Sequence, residues 1–167
     1  MFVIPTMAQT VNDVKLIYQV EKMHQFSSRT NNDRFTLSLH GPNIFDGVLT
    51  FKIVTEEGKE IYKDEFTTGE MMEFGPPETD IGYLRSKEDS LTITIIMNQF
   101  FDERSFTFPA VLDSSEMKDN YTAFDEWNLI YQDPDATGFH YLLGAEDGRS
   151  IAYSKKRKKV VVYFTCC

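Results

Sequence analysis

Three histidines, two cysteines and one dense run of cations are the residues of this chain best able to do chemistry near neutral pH. His24, His40 and His140 stand far apart in the sequence and form no close pair with metal-ligand spacing. Each reads as a surface or edge residue of a strand, and only convergence in space would make a three-histidine site. Cys166 and Cys167 are adjacent, which is poor geometry for a disulfide between them. A nucleophilic cysteine wants a helix N-terminus or a cationic neighbour, and the end of an apolar strand offers neither by default. No serine stands in a nucleophile elbow. The glycines of Gly144-Ala145-Glu146-Asp147-Gly148 are flanked by acids that would repel phosphate, so this is read as a turn. Asp133, Asp135 and the Glu146-Asp147 pair lack the alternation of a calcium loop. Asn120-Tyr121-Thr122 fits the glycosylation triplet, which arises by chance in chains of this length. The residues thus call for no metal and no cofactor, and no catalytic spacing stands out.

The cationic run is Lys155-Lys156-Arg157-Lys158-Lys159. It has two readings, an anion-binding or address-bearing hairpin tip and a solvated turn whose lysines discourage edge-to-edge aggregation. No aromatic residue lies within it to stack on bases. The chain carries a net charge of −9, with 17 basic and 26 acidic residues. Without the run the balance is 12 − 26 = −14. Such a body repels nucleic acid and anionic membranes and attracts a basic protein. The acids Glu70, Glu73, Glu78 and Asp80 fall in the longest stretch without strand alternation, Thr67 to Ser90, where an interaction loop is expected. Together with Lys155, Lys156, Arg157, Lys158 and Lys159 they are the candidate binding residues.

The elements that must position these residues are strands. Val14 to Val20, Phe35 to Leu39, Leu49 to Ile53 and Ile61 to Phe66 alternate apolar and polar side chains with a period of two, although Ile17 also allows a helix in the first. Glu56-Glu57-Gly58-Lys59 supplies hairpin chemistry between the third and fourth. Leu91, Ile93 and Ile95 alternate with threonines and predict another strand, and Phe106 and Phe108 predict one more after a turn at Phe101 to Arg104. Pro77 to Asp80 suits a helix start. Phe124, Trp127 and Ile130 recur every three residues within 113–132 and predict one short amphipathic helix. The last thirty residues read as a three-stranded meander, turning at Glu146-Asp147-Gly148 and at the basic run. Val160 to Phe164 is continuously apolar, which predicts a central strand covered on both faces.

The sum is a mainly β protein, an antiparallel sandwich or barrel of eight or nine strands with one or two short helices. Residues 13–167 form one β-rich domain, and residues 1–12 are expected to lie outside its ordered part. The 167 residues, 14% of them aromatic, suffice for a core without staples. No stretch approaches the roughly 18 apolar residues that span a bilayer. The lack of an internal disulfide points to a reducing, cytoplasmic setting, with export after removal of a signal as the alternative.

In architecture and charge the layout resembles small accessory β-proteins, such as inhibitors and immunity factors. That resemblance implies a non-enzymatic role, with an acidic β-surface binding a basic protein partner. A second expectation is a carrier of a small apolar ligand, lined by Phe100, Phe101, Phe106, Phe108, Phe124 and Trp127. A third is an enzyme whose residues meet only in the folded chain.

Overall fold

A computed structural model describes residues 15–72, 87–112, 124–144 and 147–166. Its first sheet is a meander of β1 (Leu16–His24), β2 (Asp33–His40), β3 (Val48–Val54) and β4 (Glu60–Thr67). Its second sheet follows the same plan with β5 (Phe106–Thr107), β6 (Gly138–Leu143), β7 (Asp147–Ser154) and β8 (Lys159–Cys166). All pairings are antiparallel and neither sheet closes on itself, so the architecture is a sandwich rather than a barrel. Among the described residues three short α-helices join the strands: α1 (Thr68–Met72), α2 (Lys87–Gln99) and α3 (Phe124–Tyr131).

The period-two patterns set which face is buried. Across the first sheet, Val20, Leu37, Phe51 and Asp64 stand in one register row, and Lys22, Phe35, Ile53 and Tyr62 in another. Phe35, Leu37, Phe51 and Ile53 in those rows are fully buried. Across the gap, Phe139, Tyr141 and Ile151 of the second sheet meet them. The rings of Phe35 and Phe139 lie 5.4 Å apart, and those of Phe51 and Phe139 5.5 Å apart. Ile93 and Met97 of α2, with Phe100 and Phe101 just beyond it, fill the rest of this layer. A second, smaller core lies on the other face of the second sheet. There Trp127 and Ile130 of α3 cover Ala152, Val161 and Tyr163.

Four details differ from the sequence expectation. Leu91 to Ile95 is helical, not extended. On a strand Leu91, Ile93 and Ile95 would share a face, but Ile93 and Met97 are buried while Leu91 and Ile95 are exposed. That i, i+4 pairing against the core overrides the β-branched preference. Thr94 Oγ1 donates back to the Ser90 carbonyl at 3.0 Å, a bond that accommodates a threonine inside a helix. Secondly, β8 is an edge strand. Its apolar run is covered on both faces because Val160 and Val162 face the main core while Val161 and Tyr163 lie under α3. Thirdly, Phe124 is exposed although Trp127 and Ile130 are buried. A spacing of three falls short of the 3.6-residue turn, so the three fan out over about 120° of the helix, and Phe124, its first residue, falls at the margin of the buried face. Finally, Asp147 and Gly148 belong to β7 rather than to a turn, and Gly144, at φ 72°, makes the bend before it. The helix start at Pro77 to Asp80, residues 1–12 and the glycosylation triplet lie outside the described residues.

Candidate functional site

The most connected polar group lies between the sheets. Tyr62 and Asp64 project from β4 towards Tyr141 of β6 and Arg149 of β7, which are register partners. Tyr141 donates its hydroxyl proton to Asp64 Oδ2 at 2.8 Å. Tyr62 is therefore the donor in the 2.6 Å contact between the two tyrosine oxygens. Arg149 donates Nη1 to the same Asp64 oxygen at 2.7 Å, and Nη2 to Asp147 at 2.8 Å. Burial raises the Tyr62 and Tyr141 hydroxyls above the ordinary phenol range, so both stay protonated. The bond to Asp147 holds the Arg149 guanidinium firmly charged. Every member is thus used by another, and the group ties one sheet to the other. Sequence reasoning missed it. The available signal was a charged residue at an inward position of an alternating strand, Asp64 between Tyr62 and Phe66.

The basic run forms the reversal between β7 and β8. Lys155 pairs with Asp133 at 2.9 Å and Arg157 with Glu126 at 3.2 Å, which fastens the turn to α3 and the bend that follows it. Lys156, Lys158 and Lys159 are exposed.

Several of the described acids are paired with cations or close a helix end. On the outer face of the first sheet, Lys63 pairs with Glu65 at 2.9 Å and Lys52 with Glu60 at 3.0 Å. Glu70 closes a capping box at the start of α1. Its carboxylate accepts from the Thr67 backbone N–H at 2.6 Å and hydroxyl at 2.8 Å. The Thr67 bonds hold its carboxyl below the usual range. Glu73, Glu78 and Asp80 lie outside the described residues. In the sequence the stretches 73–86 and 113–123 carry six Asp and Glu against two Lys and Arg.

The histidines are not brought together. His24 stacks on Phe106 with ring centroids 3.8 Å apart and lies 3.7 Å from Glu103. His40 pairs in register with Leu16 and Val48 of the first sheet. His140 lies on the second sheet, with Nδ1 3.1 Å from Ser150 Oγ, and burial lowers its pKa. Among the described residues no group of three or more His, Cys, Asp or Glu side chains is placed to hold a metal ion. The six proposed lining aromatics are also dispersed. Phe100, Phe101 and Phe106 belong to the main core, and Trp127 belongs to the smaller one. Phe124 is exposed, and Phe108 lies under the Arg29 guanidinium at 3.9 Å.

Gly148 marks a close approach beside His140. A Cβ there would meet Cys166 Sγ at 2.5 Å and His140 Cε1 at 3.1 Å. Gly148→Ala is expected to destabilise the fold by about 1–3 kcal/mol in urea unfolding. Adding Cys166→Ala removes the nearest atom and should recover most of that loss. An unrescued double variant would contradict the packing at this position.

No protein-family model, characterised protein or solved structure matches this chain. None of its described helices is long and apolar enough to cross a membrane.

Proposed function

We propose that this is a non-enzymatic binding protein whose acidic segments engage a basic region of a protein partner, in the manner of an inhibitor or immunity factor. One observation carries the reading: outside the basic run the chain is strongly acidic, and the stretches 73–86 and 113–123 hold six acids against two bases. On the first sheet Lys52 pairs with Glu60 and Lys63 with Glu65, so the acids there are in part neutralised. Stretches rich in acid attract a basic partner and speed its encounter. The carrier reading draws no support from an interior in which Phe35, Phe51 and Phe139 are fully buried, ring against ring. The catalytic reading draws none from polar groups that satisfy one another across the sheets.

The test is capture from a lysate of source cells at low and high salt, with wild type and with Glu73→Gln/Glu78→Gln/Asp80→Asn as bait. The expected result is a basic protein held at low salt, released at high salt, and bound about tenfold more weakly by the variant. Equal capture by both baits, or capture indifferent to salt, would count against the proposal.

A further inference from the structure

The tip of the β7–β8 hairpin is a built feature rather than a loose run of charge. Lys158 N–H donates to the Ser154 carbonyl at 2.7 Å, and Arg157 N–H donates to Ser154 Oγ at 3.2 Å. Ser154 itself is buried. Lys155 and Arg157 are held against the α3 side by Asp133 and Glu126. Lys158 takes a left-handed backbone conformation, φ 55°. Glycine adopts that conformation freely, whereas a residue with a Cβ does so at a cost. The hairpin thus keeps a lysine where a glycine would be less strained. Lys156, Lys158 and Lys159 are exposed and make no ion pair among the described residues.

The surroundings of the tip narrow the class of ligand. Asp125 and Asp135 are exposed on the flank that holds Glu126 and Asp133. A long polyanion, such as a nucleic-acid duplex, tracks its phosphates across many cations and would meet these acids. The run also offers no aromatic face to a base. Three lysines on a turn suit a short acidic stretch instead. We propose that Lys156, Lys158 and Lys159 form a docking point for an acidic protein segment, opposite in sign to the acidic segments proposed above and independent of them.

The test uses a fluorescein-labelled peptide of about ten glutamates, read by anisotropy at low salt, with duplex DNA measured alongside. The wild type should bind the peptide, and Lys156→Gln/Lys158→Gln/Lys159→Gln should bind it at least about tenfold more weakly at an unchanged melting temperature. Lys155→Gln/Arg157→Gln should bind it more strongly than the triple variant does. Absent binding, equal binding by the triple variant, or tighter binding of DNA than of the peptide would overturn the proposal. Capture of a basic partner by the acidic segments is a separate readout, so either reading can fail alone.

Discussion

Replacing Phe51 by alanine should lower the unfolding free energy by about 3–5 kcal/mol. Phe51 is fully buried at the centre of the aromatic layer. Its ring centroid lies 5.4 Å from those of Tyr62 and Tyr141, and 5.5 Å from those of Phe100 and Phe139. These neighbours come from β4, β6 and the end of α2, so truncation opens a cavity that no single element can collapse to fill. The measurement is urea unfolding of wild type and variant. A loss below about 1.5 kcal/mol would mean that the two sheets do not share one core here.

The second large effect concerns Asp64. Asp64→Ala should cost about 2–3 kcal/mol, because it leaves the Tyr141 hydroxyl without its acceptor and takes one of two carboxylates from Arg149. The figure sits at the lower end for a buried ion pair because the Asp64 side chain keeps 19% of its exposure. Tyr141→Phe should cost less, about 1 kcal/mol, since Asp64 still holds Arg149. The double variant should then lose less than the sum of the two, because the singles break one shared bond. Additive losses would show that the two residues do not act as one clamp between the sheets.

Much of this fold was legible in the residues. The alternation of Phe35, Leu37 and Leu39, and of Leu49, Phe51 and Ile53, is a local property, and it gave the right buried faces. The hairpin at Gly58, which takes φ 84°, was readable for the same reason. Failures came where distant packing decided. Leu91 to Ile95 satisfies a strand pattern as well as a helical one, and only contact of Ile93 and Met97 with the core settles it. The place of β8 at an edge depends on α3, which arrives from elsewhere in the chain to cover its outer face. The candidate binding residues divide in the same way. The basic run was visible as composition, but its two anchors on the α3 side were not, because Glu126 and Asp133 lie 31 and 22 residues from Arg157 and Lys155. Glu70 looked like a free surface acid. The capping box with Thr67 was spelled out by the Thr-x-x-Glu spacing and could have been read.

The proposed binding role rests on stretches rich in acid, and its salt dependence tests it most directly. The affinity of the captured basic partner should be measured by calorimetry across a series of salt concentrations, for wild type and for Glu73→Gln/Glu78→Gln/Asp80→Asn. The account predicts that wild-type affinity falls steadily as salt rises, and that the variant binds more weakly with a shallower dependence. An affinity that stays level across the series, or one that the variant leaves unchanged, would contradict it.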